Sequence, residues 1–124
     1  MKRSPALAAC VAVVTLAATA AFPVAAQDMA VTAGQSAKVV LDNERVRVIE
    51  LNMAPGSKTG MHSHGDNLVV FLSGGEAEQT MADGSKKALS RKPGEVLWSG
   101  PVTHDTLNTG KAPTRTLVIE LKDK

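Results

Sequence analysis

Aromatic residues are almost missing from this sequence: there is no tyrosine, one tryptophan and two phenylalanines in 124 residues. Any core must therefore be built from Val, Leu, Ile and Met, and the aromatic platforms that stack nucleic-acid bases have little to be made from. Charge of one sign is also scarce. The formal net charge is +2, and Lys2 and Arg3 supply all of it. The densest basic stretch (Lys86, Lys87, Arg91, Lys92) is offset by acidic residues elsewhere and has no interleaved aromatics, so it reads as a solvated hairpin face and nucleic-acid binding is not expected. Cysteine occurs once, as Cys10, which excludes a disulfide within the chain.

Only one long apolar run exists, from Ala6 to Phe22, and it sets the expected compartment. It follows the basic Lys2 and Arg3 and precedes Pro23-Val24-Ala25-Ala26 and the polar Gln27-Asp28. That is the three-part layout of a secretory signal peptide, with Val24 and Ala26 as the small residues a signal peptidase reads, so cleavage is expected after Ala26. An N-terminal membrane anchor is the rival, but a short run of mostly alanine and valine favours the bilayer less than leucine would. Leu7-Ala8-Ala9-Cys10 resembles a lipobox, although most of the apolar run lies after the cysteine rather than before it. With residues 1–26 removed as a signal peptide, the protein is expected to be periplasmic or secreted and free of the membrane. It then has no thiol at all.

The remaining sequence, about 98 residues, is enough for one modest core. Residues 27–36 read as a flexible segment leading into a domain spanning 37–124. Short runs rich in Val, Ile, Leu and Thr alternate with Gly, Pro, Asp or Asn about every ten residues. The runs are Ala37 to Leu41, Arg45 to Met53, Asn67 to Leu72, Glu76 to Met81, Lys86 to Leu89, Glu95 to Trp98, Thr103 to Leu107 and Thr114 to Leu121. Asp83-Gly84 is a strong hairpin signal. No later stretch sustains a helical period free of Gly or Pro. The expected fold class is all-β, an antiparallel sandwich or barrel such as a jelly roll, in which exposed sheet edges make a homodimer possible.

The three histidines carry the chemistry. His62 and His64 are separated by one residue, so in an extended strand both face the same side, close enough to share an ion; His104 lies in a different expected strand. Convergent imidazoles suit zinc, iron, nickel or copper, whereas an isolated His-x-His pair is also common as solvated surface. Ser63 points away from that face and has no nucleophile elbow around it. His104 and Asp105 are neighbours that project oppositely, which argues against a dyad. Gly56-Ser57-Lys58-Thr59-Gly60 lacks the spacing of a phosphate-binding loop.

Gly56, His62 and His64, followed by a strand ending at Gly74-Gly75, resemble the first motif of the cupin superfamily. Gly94, His104 and Asn108 resemble the second. The resemblance spans residues 38–121 and implies a cupin-type antiparallel β-barrel. Two departures stand out. The glutamate expected beyond the second histidine is replaced by Leu68 and Val69, or by Asn67 if counted back from Gly74, and the turn before His104 reads Ser99-Gly100-Pro101. The resemblance then implies a divalent transition metal (Fe, Mn, Ni, Zn or Cu) held by His62, His64 and His104, with Asp66 or Asn67 as an extra ligand or supporting partner. Asp66 shares strand parity with the histidine pair if no bulge intervenes. Loss of the metal along with the glutamate, leaving the histidines as cavity lining, is the other reading. Trp98, Phe71 and Met61 (with Met53) are candidate cavity walls or core, and Asn108 is expected to fix a turn near His104.

Two functional classes follow. One is a metal-dependent enzyme acting on a small oxygen-bearing metabolite, dioxygenase- or isomerase-like. The other is a non-catalytic module that binds a small molecule, with or without metal. Met61-His62-Ser63-His64-Gly65-Asp66 and Leu117-Val118-Ile119-Glu120-Leu121-Lys122 are similar to a group of small bacterial cupins, some of them labelled β-alanine degradation proteins. A shared barrel does not fix the chemistry it hosts.

Overall fold

The structure is a computed structural model that describes residues 27–123. The expected signal peptide and Cys10 lie outside the described residues. Among the described residues, no helix is long and apolar enough to cross a membrane.

Among the described residues, nine strands form two antiparallel sheets. They are β1 (Ala37–Asp42), β2 (Val46–Met53), β3 (His62–His64), β4 (Asn67–Phe71), β5 (Gly75–Met81), β6 (Lys86–Arg91), β7 (Val96–Ser99), β8 (Val102–Asn108) and β9 (Thr114–Leu121). The larger sheet has the order β1-β2-β9-β4-β7 and the smaller β3-β8-β5-β6. Eight of these coincide with the apolar runs, because alternation with β-branched residues and tight turns between them favour strands. The ninth, β3, is three residues of His-Ser-His, too short and too polar to announce itself.

Residues 27–36, ahead of the first strand, carry short helical structure. They form a helical turn, α1 (Met29–Thr32), and a 3-10 turn (Gly34–Ser36). Asp28 caps α1 by accepting from Ala30 N at 2.9 Å, which satisfies one of the free amides of its first turn. Met29 and Ala33 join Ile49, Leu51, Met53 and Val118 in the buried core. The segment is tied down because its one large inward side chain, Met29, completes an apolar cluster that has no aromatic to fill it.

Strand alternation sets which residues face the interior. In the larger sheet, register aligns Ile49, Val118, Val69 and Leu97 in one inward row. The next row toward β3 is polar: Arg47, Glu120, Asn67 and Ser99. In the smaller sheet, one inward row is His62, His104 and Met81, and the following one is Thr106, Gln79 and Lys87. The rows of the two sheets enclose a cavity of about 400 Å³. Turns with left-handed backbone deliver the strands to these positions. Gly56 and Gly94 have φ of 78° and 84°, a region that side-chain-bearing residues rarely enter.

Candidate metal centre

His62 and His64 come from β3, and His104 sits directly opposite His62 in the paired strand β8. Period-two alternation puts both β3 imidazoles inside, and the register adds the third. The ring centroids of His62 lie 4.6 Å from His64 and 4.9 Å from His104, and those of His64 and His104 are 5.7 Å apart. One ring nitrogen from each residue lies within 4.8 Å of the others. Two nitrogens bound to one ion at the usual length are at most about 4.2 Å apart, so a small rotation of the rings closes the triad.

The hydrogen bonds around the rings decide which nitrogens are offered. His62 Nδ1 donates to the carbonyl of Gly60 at 2.7 Å, leaving Nε2 buried without a partner. His64 Nδ1 donates to Glu120 Oε1 at 2.9 Å, which leaves its Nε2 for the cavity. His104 Nδ1 is likewise buried and unpartnered. Buried polar atoms without partners are rare and costly, and two of them within one histidine cluster fit an ion. Protonation also suits this. Burial pushes the His104 imidazole down to about 4, helped by its neighbours His62 and His64, and burial lowers His62 as well. Both are neutral at physiological pH, the form in which imidazole ligates a metal.

Glu120 is the residue that sequence reasoning missed. It lies directly opposite Asn67 across the β4–β9 ladder. The carboxylate absent from β4 therefore reappears one strand over. Its second oxygen accepts from Arg47 Nε at 2.7 Å, and the Arg47 guanidinium forks onto both oxygens of Asp28 at 2.7 and 2.8 Å. Burial pushes the Glu120 carboxyl up, but the hydrogen bonds from His64 and Arg47 overcome this and hold it below the usual carboxylate range. An ionised Glu120 fixes the His64 tautomer and ring plane, as carboxylates behind metal-bound histidines do. A sequence signal existed. Thr114, Thr116, Val118 and Glu120 share one parity, as do Arg47, Ile49, Leu51 and Met53. A charged residue on an inward face is the anomaly that marks a site.

The other expected residues divide. Asn67 is buried and lines the cavity, but its amide nitrogen donates to Gly65 O at 2.8 Å and Ser99 O at 3.3 Å, so only its carbonyl oxygen is left for an ion. Asp66 does not join the cavity. Gly65 and Asp66 form a bend between β3 and β4 that breaks the strand parity, leaving Asp66 exposed. Phe71 and Trp98 line the cavity, yet Trp98 is 57% exposed, at the rim rather than in the core. Met61 lies outside the lining and is exposed, one residue before β3 and on the opposite parity to His62. Asn108 braces a turn as expected, with Nδ2 donating to Met53 O and Ala112 O, both at 3.0 Å, and Oδ1 accepting from Gly110 N. Ser63 bonds the Thr103 hydroxyl outside the triad, at 2.7 Å.

No family profile and no curated protein matches the sequence. Solved structures do. A cupin domain from Bordetella pertussis is 29% identical with a TM-score of 0.66, over 70% of this chain and 92% of that one. A protein with a double-stranded β-helix domain from Klebsiella pneumoniae is 26% identical (TM-score 0.54; 67% and 68% covered). A cupin superfamily protein from Desulfitobacterium hafniense shares the fold at 24% identity (TM-score 0.54; 70% and 76% covered). Two antiparallel sheets folded as a double-stranded β-helix around three clustered histidines, with these structural neighbours, give the chain the fold of a small cupin-superfamily domain.

Proposed function

We propose that this chain is an exported metal-dependent cupin that holds a divalent transition ion through His62, His64 and His104 and acts on a small oxygen-bearing metabolite in a dioxygenase- or isomerase-like reaction. The observation that carries the proposal is the triad itself: three inward imidazoles whose ring nitrogens converge, with His62 Nε2 and His104 Nδ1 buried and otherwise unsatisfied. A cavity that kept these histidines only as lining would leave both nitrogens desolvated at a cost of about 1–3 kcal/mol each. Export rests on the N-terminal pattern of residues 1–26.

Bound there, the ion would supply Lewis acidity or oxygen activation, with positions open for a chelating substrate. The chain's own contribution is positional. Gly60 O and Glu120 orient His62 and His64, β8 aligns His104, and the apolar walls formed by Leu51, Met53, Val69, Leu97 and Val118 exclude water from the site.

Elemental analysis of the protein purified from the exported fraction, with His62→Ala and His104→Ala alongside, tests this. One equivalent of iron, manganese, nickel, zinc or copper in the wild type, and none in the variants, is expected. Absence of stoichiometric metal after reconstitution would overturn the reading. If iron is held, oxygen uptake with diketones, thiols or amino-acid catabolites identifies the reaction. Ligand-induced thermal stabilisation with no turnover would favour the binding module instead.

A further inference from the structure

The inward face of β6 carries charge that the triad does not use. Lys87 pairs with Gln79, and Gln79 with Thr106, so Lys87 ends the row adjacent to the one containing His62 and His104. That row is about 7 Å along the strands from the histidine row, and Lys87 is two strands, or about 10 Å, across from β8. Arg91 lines the same cavity two inward rows further along β6, next to Phe71, whose ring centroid lies 5.6 Å from the guanidinium carbon. Neither cation has a close ion-pair partner among the described residues. Among the described residues Lys87 makes no ion pair, and Arg91 reaches only Glu95, at 4.0 Å, with its Nε buried and unpartnered.

Most of the nearby acidic groups are turned away from the cavity. Glu120 stands behind His64, committed to that ring and to Arg47, and Asp66 lies outside the cavity. Asp105 accepts from Thr59 on the opposite face of β8. The exposed Glu76 is the one carboxylate among the described lining residues. Three neutral imidazoles bring no charge of their own to a divalent ion, Glu120 stands behind His64 and not in the cavity, and Lys87 and Arg91 add positive charge in a chamber whose walls are otherwise largely apolar.

Resting on the metal-bound reading above, we infer that the cavity selects an anionic chelator: a small carboxylate with a second oxygen donor and an apolar body, its carboxylate drawn by the field of the ion, Lys87 and Arg91. A cavity of about 400 Å³ sits at the lower end of small-molecule sites, which limits the ligand to a compact acid. An anion entering here meets positive charge that Glu76 and the 4.0 Å contact of Arg91 with Glu95 offset only in part, while an equally shaped neutral ligand gains only the packing.

Calorimetric titration with salicylate and with its neutral analogue salicylamide tests this on the purified protein, zinc-loaded and metal-free. Salicylate is expected to bind zinc-loaded protein at least about tenfold more tightly than salicylamide. Lys87→Gln combined with Arg91→Gln should weaken salicylate about tenfold in either form and leave salicylamide unchanged, with Arg91→Lys recovering most of the loss. Should Arg91→Gln fail to fold, the exposed Lys87→Gln alone decides, with a loss of a few fold. Equal affinity for the two probes, or a loss shared by both, overturns the inference. If zinc does not bind at all, the metal reading fails, and the salicylate loss in metal-free variants still decides the role of Lys87 and Arg91.

Discussion

The two sheets of the barrel divide the work. The five-stranded sheet, with α1 against it, supplies the whole of the well-buried apolar core: Ile49, Leu51 and Met53 on β2, Val118 on β9, and Met29 and Ala33 from the N-terminal turn. The four-stranded sheet turns His62, His104, Thr106, Gln79, Lys87 and Asn108 inward and contributes none of that cluster. Apolar burial is the main favourable term in folding, and inward polar groups cost free energy unless they are paired. One wall therefore holds the domain together, and the other can spend its inward positions on ligands. At the histidine cluster the sheets are joined by the bond between Glu120 of the larger sheet and His64 of the smaller, and further along by the one from Asn108 Nδ2 to Met53 O.

The largest expected effects would separate the two walls. Ile49→Ala removes a fully buried side chain from the larger sheet and is expected to cost about 4 kcal/mol in denaturant unfolding, with metal content per folded molecule unchanged. His62→Ala should do the reverse, abolishing stoichiometric metal while metal-free stability shifts by less than about 1 kcal/mol. The lost Gly60 hydrogen bond is offset by removal of an unsatisfied buried nitrogen. If Ile49→Ala empties the metal site without unfolding the chain, the division between walls is wrong.

Mild acid probes mainly the histidines of the smaller sheet, before the carboxylates of the larger one protonate. His104 is held neutral down to about 4 by burial, against an ordinary value of 6.5. Between these values the unfolded chain binds a proton that the folded chain refuses. Metal-free stability should therefore be fully present above pH 6.5 and fall by about 2 kcal/mol toward pH 4, after allowance for partial solvent screening. His62, lowered in the same direction, adds to the slope. Chemical denaturation across that range checks it, and His104→Ala should flatten the profile.

Glu120→Gln tests the junction between the sheets. The amide can still accept from His64 Nδ1 but carries no charge, so metal affinity should drop about tenfold, read by competition with a chromogenic chelator. Arg47 then faces Asp28 alone, and helix capping at α1 should persist. The smallest effect belongs to Ser63→Ala. Its hydroxyl bonds Thr103 outside the triad, so a change of about 0.5 kcal/mol and unaltered metal binding are expected.

Eight strands were legible because each carries its own alternation and its own turn residues. β3 was not, since His62–His64 holds strand geometry only through the ladder to β8 and through the Ser63 amide, which donates to Gln27 O. Parity counted along the chain placed Asp66 with the histidines, and a two-residue bend broke that count. Glu120 escaped for the opposite reason. It is remote in sequence from His64, and only the β4–β9 register brings it opposite Asn67 and against the imidazole.

The sequence alone determined the all-β class, the turn positions and the three residues that can ligate an ion, because alternation, glycine punctuation and side-chain chemistry are local properties. Tertiary structure decided which nitrogens are offered, which carboxylate stands behind them and which cations face the cavity. Those depend on register between strands far apart in the chain, and a one-residue slip in any ladder would turn each of these side chains to the other face.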